Sequence, residues 1–191
     1  MAAIRAALQR RSVVLIGMMG VGKSSIGRRL AARLAIPFVD ADMEIEKAAG
    51  MSISDIFTRH GEPDFRSGEA RVIARLLDAG PQVLATGGGA FMNEATRAAI
   101  KAKGVSIWLS AEFDVLMRRI AKRKNDRPML QTDDPAETLR QLLKVREPVY
   151  ALADLTVQSR ETPHDSIVVE IVAALASHLK VPAPSQQRGS A

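Results

Sequence analysis

The sequence contains no cysteine. That absence excludes a disulfide scaffold, a thiol nucleophile and any thiolate metal site, and it fits a reducing compartment. Aromatic residues make up only 4% of the 191 residues, with one Trp and one Tyr, which leaves few platforms for stacking nucleic-acid bases. No apolar run approaches the ~18 to 20 residues needed to cross a bilayer. A soluble, cytoplasmic protein without a membrane partner is expected. Acidic residues are missing from residues 1–39, which carry seven basic ones, whereas residues 40–80 carry nine acids against five basic residues. The net charge of +6 therefore averages two unlike stretches, and its positive excess suggests an anionic partner.

What is present fits one domain, long enough to bury roughly 70% of the unfolded chain's surface without a metal or disulfide staple. Short β-rich runs at Val13 to Ile16, Phe38 to Asp40, Val83 to Ala85, Val105 to Leu109 and Leu155 to Val157 alternate with helical patterns. Ile26, Leu30 and Leu34 recur every four residues and give the first helix one apolar stripe. Asn93 is a good cap for a helix that stops before Gly104. Thr162 is expected to cap a last helix with Pro163 in its first turn and Ile167, Ile171, Leu175 and Leu179 on one face. This alternation predicts an α/β fold, a parallel sheet with helices on both faces. Residues 1–11 read as an N-terminal arm and residues 181–191, rich in Pro, Ser and Gln, as a disordered tail.

In an open parallel sheet, ligands bind beyond the carboxyl ends of the strands. After the first strand, Gly17-Met18-Met19-Gly20-Val21-Gly22-Lys23-Ser24 fits the phosphate-cradling pattern GxxxxGK[ST] and opens an amphipathic helix. Its backbone N–H groups and helix N-terminus suit phosphate, Lys23 can reach the β- and γ-phosphates, and the Ser24 hydroxyl can occupy a Mg²⁺ position. Asp40 and Asp42 end the second strand; two residues apart, they would face the same side if extended geometry persisted. One carboxylate could hold Mg²⁺ directly or through water, and another could accept the proton of an attacking hydroxyl; an acidic turn capping the helix from Met43 to Ala49 is the plainer reading. Gly87, Gly88 and Gly89 follow the third strand, where bare N–H groups or close ligand approach would explain three successive glycines. Arg66 and Arg146 are each weak signals alone. The densest charge lies at 118–127, six basic residues of ten, where a helix with Phe113, Leu116 and Ile120 on its buried face runs out into a loop. Such a loop could close over ATP and neutralise charge on a transferring phosphoryl group; a solvated basic face or a nucleic-acid patch are the competing readings.

Taken together, GMMGVGKSSIGRRLA, FVDAD, GEPDFR, LATGGGA, DRPML and REPVYALAD, in this order and spacing, resemble shikimate kinase over roughly residues 12–180. The resemblance implies a P-loop kinase three-layer sandwich with a five-stranded parallel sheet and a mobile lid at about 120–133. It implies ATP- and Mg²⁺-dependent phosphorylation of the 3-hydroxyl of shikimate in the chorismate pathway. Gly20, Val21, Gly22, Lys23, Ser24 and Ser25 would bind ATP phosphates, with Lys23 stabilising the γ-phosphoryl charge. Ser24 and Asp40 would serve Mg²⁺, and Asp42 would hold the 3-hydroxyl as general base. Arg66 and Arg146 would clamp the shikimate carboxylate, Gly88 and Gly89 would position the substrate, and Arg127 would swing in with the lid to touch ATP. A monomer without a nucleic-acid partner is expected. The alternatives are a kinase of the same architecture acting on gluconate or a nucleoside monophosphate, and a P-loop nucleic-acid-binding protein.

Overall fold

A computed structural model describes residues 1–122 and 133–182. Five strands, β1 (Ser12–Ile16), β2 (Phe38–Asp40), β3 (Val83–Ala85), β4 (Gly104–Ser110) and β5 (Leu155–Gln158), form one parallel sheet in the order β2-β3-β1-β4-β5. The strands extend the predicted runs by at most one residue at either end. β1 is central and wholly buried, which is why its sequence is continuously apolar rather than alternating.

Successive side chains of β1 serve opposite faces of the sheet. Val13 and Leu15 pack with Ile26, Leu30 and Leu34 of α2 (Lys23–Leu34) and with Ile167, Ile171 and Leu175 of α8 (His164–His178). Val14 and Ile16 pack with Ile73 and Leu77 of α4 (Ile53–Asp78), Ile100 of α5 (Glu94–Lys103) and Tyr150 of α7 (Pro135–Tyr150). The expected stripe on α2 is therefore one wall of the core. α5 starts at Asn93 as expected, and the Asn93 side chain accepts the Thr96 N–H at 3.1 Å.

Three local expectations need correction. The segment read as an arm is a helix, α1 (Ala2–Leu8), with Ile4 and Leu8 fully buried in the core shared with α2 and α8. These two residues lie one turn apart, and burying each contributes about 1.5–3 kcal/mol, enough to dock this short helix. Thr162 does not cap the last helix: Pro163 occupies the cap position, with no side-chain cap bond, and α8 begins at His164. Asp40 and Asp42 do not share a strand face, because the chain turns helical at Ala41 to form α3 (Ala41–Ala49). Asp40 caps that helix, its Oδ1 accepting the Asp42 N–H at 3.2 Å, so Asp42 stands in the first turn instead.

The long helix α4 is two helices in series. Gly61, at φ 80° and ψ 171°, breaks it, and Pro63 follows as a residue without an N–H to continue the ladder. The second segment packs Phe65 against Ile45 and Ile56 and brings Arg66 and Glu69 to the loop after β3.

Candidate active site

Strand order brings the chemistry together. β3 lies between β2 and β1, so the triglycine loop after β3 is flanked by the acidic turn after β2 and the P-loop after β1. The connections leaving β1 and β3 cover opposite faces, which opens a crevice between their carboxyl ends. Thr86 pins the central loop to β1, its N–H and hydroxyl both donating to the Leu15 carbonyl, at 3.2 and 3.1 Å.

The P-loop has the backbone that phosphate binding requires. Gly22 caps α2 at φ 101°, a left-handed conformation that side chains resist, and the first N–H groups of α2, from Lys23 to Ser25, follow it. The Lys23 ammonium folds over the loop and donates to the carbonyls of Gly17, at 2.7 Å, and Met18, at 3.0 Å. Ser24 Oγ donates to Asp40 Oδ2 at 2.7 Å, so the hydroxyl and carboxylate predicted to serve a metal are already in contact. The donors here are oxygens, and among the described residues no group of three or more His, Cys, Asp or Glu could enclose a metal. That set fits Mg²⁺, which usually keeps its waters and substrate phosphates and takes only one or two protein ligands. Gly20 lies beneath Ile120 at the end of α6 (Phe113–Ala121), and Val21 is fully buried with its carbonyl turned to α6 and to the segment after β5. That carbonyl accepts Ser159 Oγ at 2.8 Å and Arg119 Nη1 at 3.1 Å.

Across the crevice, four side chains meet the triglycine loop. A Cβ on Gly87 would lie 2.7 Å from Glu69 Oε1 and 3.0 Å from Asp42 Oδ1. On Gly88 it would lie 3.3 Å from Arg146 Nη1, and on Gly89 only 2.5 Å from Arg66 Nη2. Only glycine lets the Arg66 guanidinium approach the backbone this closely. Asp42, Arg66, Gly88, Gly89 and Arg146 therefore come together as expected from the sequence. Arg127 and most of the expected lid lie outside the described residues.

Glu69 was not anticipated. It is buried, receives Arg66 Nη1 at 2.7 Å, and leaves Oε1 without a hydrogen-bond partner among the described residues. Burial raises its pKa, the neighbouring Arg66 opposes that rise, and Asp42 adds to it. For Arg66, burial works against the charge, but Glu69 and Glu62 outweigh it and the pKa is raised. Glu62 Oε1 accepts Arg66 Nη2 at 3.1 Å, so two carboxylates aim one guanidinium. The signal was present in the sequence as acids four before and three after Arg66, visible once those residues are known to be helical. Arg119 was likewise unassigned within the basic run. Besides Val21, it donates to Ser159 Oγ at 2.9 Å and to the Arg160 carbonyl at 2.6 Å, tying α6 to the P-loop and to the segment after β5. Burial lowers its pKa.

A phosphate-binding loop thus faces a pocket that pairs two guanidiniums with two carboxylates and bare backbone, chemistry suited to a small hydroxylated carboxylate. A family model for shikimate kinase matches residues 19–176. The shikimate kinase of Bradyrhizobium diazoefficiens is 67% identical over 176 residues, covering 92% of this chain and 84% of that protein. The shikimate kinase of Rhodopseudomonas palustris is 61% identical over 178 residues, covering 93% of this chain and 87% of that protein. Among solved structures, shikimate kinase from Acinetobacter baumannii in complex with shikimate matches with a TM-score of 0.85 and 34% identity, over 91% of this chain and 97% of that one. On this likeness of sequence and fold together, the chain belongs to the shikimate kinase family.

Proposed function

We propose that this crevice transfers the γ-phosphoryl group of ATP to the 3-hydroxyl of shikimate, giving ADP and shikimate 3-phosphate, with the residues above in the roles that follow. The observation that carries the reading is the meeting of Asp42, Arg66 and Arg146 on Gly87 to Gly89, directly beside the P-loop. The substrate carboxylate lies between the Arg66 and Arg146 guanidiniums, whose planar forks match a planar anion. The Gly88 and Gly89 N–H groups, which donate to no other backbone group among the described residues, hold the substrate against the loop.

With the acceptor so placed, its 3-hydroxyl faces Asp42 on one side and the phosphate loop on the other. The hydroxyl oxygen forms the new bond to phosphorus, the bond from phosphorus to the bridging oxygen of ADP breaks, and the hydroxyl proton passes to the Asp42 carboxylate. In a loose transition state the proton need leave only as the new bond forms, so an ordinary carboxylate suffices as base. Lys23 turns from the carbonyls of Gly17 and Met18 to the phosphate oxygens, and the amides of Gly20 to Ser25 hold the phosphates. Ser24 and Asp40 would hold Mg²⁺, which when bound would supply positive charge to the transferring phosphoryl group. Arg127 adds charge from the lid.

The protein acts as a cytoplasmic monomer on small molecules, and its basic excess serves nucleotide phosphates rather than nucleic acid. No helix among the described residues is long and apolar enough to cross a membrane. The carboxylate clamp is tested by Arg66→Lys, which keeps the charge and loses the fork. Its shikimate KM rises about 10- to 100-fold, the worth of a charge-assisted hydrogen bond, while its ATP KM stays within about twofold. Steady-state kinetics coupled to ADP release reads both constants. An unchanged shikimate KM places Arg66 outside the substrate site.

A further inference from the structure

One polar group at the site has no part in the roles above. The phenol of Tyr150, the chain's single tyrosine, is buried at the end of α7 with its ring against Trp108, centroids 6.0 Å apart. Its hydroxyl donates to the Gly88 carbonyl oxygen and accepts a hydrogen bond from the Arg146 guanidinium. Arg146 and Tyr150 are four residues apart on α7, so one helical face presents both groups to the triglycine loop. Burial raises the phenol's pKa, with the Arg146 charge opposing it, and the hydroxyl keeps the proton that it donates.

The Gly88–Gly89 peptide makes this contact consequential. In a planar trans peptide the carbonyl of one residue and the N–H of the next point in opposite directions. Fixing the Gly88 oxygen on Tyr150 therefore aims the Gly89 N–H away from α7. Three glycines in succession hold no such orientation by themselves. A water in place of the phenol would lack the rigid ring behind it.

We propose that Tyr150 is a positioning residue for shikimate, its hydroxyl holding the Arg146 guanidinium and the Gly88–Gly89 peptide in the single arrangement that receives the substrate. This rests on the reading in which Arg146 and the triglycine loop bind shikimate. Tyr150 does not touch the substrate; it acts through the two groups that do.

Tyr150→Phe removes one oxygen and keeps the ring against Trp108. Two hydrogen bonds are lost, so the shikimate KM rises about five- to fiftyfold, while the ATP KM stays within about twofold and kcat within about threefold. A purely structural role moves both KM values together or neither, and either outcome overturns the proposal. Arg146→Lys, measured in parallel, separates the two levels of the account. If it leaves the shikimate KM unchanged, the reading of Arg146 fails; if it raises that KM and Tyr150→Phe does not, only the role of Tyr150 fails. A measurement on the intact chain guards against a variant that does not fold. With 3-fluorotyrosine incorporated, the one ¹⁹F resonance shifts on addition of shikimate, and a resonance that ignores saturating shikimate contradicts the proposal.

Discussion

Lys23→Ala yields a folded protein that phosphorylates shikimate roughly 10²- to 10³-fold more slowly, the cost of removing one preorganised donor from a developing charge. The argument begins in the local geometry. The Lys23 ammonium is only part-buried and donates to two backbone carbonyls, those of Gly17 and Met18, which water entering in place of the side chain can satisfy. The core beneath the loop is built by Val21, Ile26 and Leu30, none of which the substitution touches. Phosphoryl transfer offers the protein little covalent chemistry, so rate depends on positioned charge, and Lys23 is the one ammonium in the P-loop. Circular dichroism and thermal unfolding check the fold, and coupled ADP release checks the rate. Turnover at the wild-type rate shows that another cation neutralises the γ-phosphate.

Asp42→Asn lowers kcat by about 10²- to 10⁴-fold, the usual contribution of a general base, with ATP affinity unchanged. The amide preserves shape and can still hydrogen-bond to a hydroxyl, so the loss reads the proton-accepting role rather than simple positioning. Two features of the site make the prediction specific. Asp42 Oδ1 lies 3.0 Å from a Cβ position on Gly87, on the acceptor side of the crevice. Asp40, two residues earlier, faces Ser24 instead and is committed to that hydroxyl and to the Asp42 N–H. Asp40→Asn is therefore the control, expected to raise the Mg²⁺ requirement before it affects the chemical step. Isothermal titration with a non-hydrolysable ATP analogue measures the nucleotide arm of the prediction. Unchanged kinetics in Asp42→Asn refutes the base role.

The two aspartates illustrate what sequence conveys and what it withholds. Their separation from Ser24 by a strand and a helix was legible, because β1, α2 and β2 have clear periodicity and clear ends. Their relative direction was not, because the residue at which extended chain becomes helix lies between them, and such boundaries turn on capping geometry. The strands were legible for a simple reason: each is a short run of mostly apolar, β-prone residues set between helical patterns. α4 was obscured by Gly61 and Pro63, which mimic a loop, and α7 by Pro148 inside its last turn. Ile4 and Leu8 were hidden among arginines, yet they close the core against α2 and α8.

At the site, the P-loop is contiguous and announces itself. Arg66 and Arg146 are eighty residues apart and gained meaning only from the family resemblance, since a lone arginine has no pattern. Glu69 needed the knowledge that Arg66 is helical. The bond from Tyr150 to Gly88 spans 62 residues and involves a backbone oxygen, so no sequence pattern could signal it. Such contacts follow from how α7 lies against the sheet.

The central claim is that this crevice phosphorylates the 3-hydroxyl of shikimate. Incubation of the full chain with ATP and Mg²⁺ against shikimate, gluconate and the common nucleoside monophosphates, with ³¹P NMR of the products, tests it most directly. The account predicts turnover of shikimate alone, with a single new phosphomonoester whose phosphorus couples to the proton on carbon 3. Turnover of gluconate or a nucleotide in place of shikimate, or a phosphate on another hydroxyl, would contradict it.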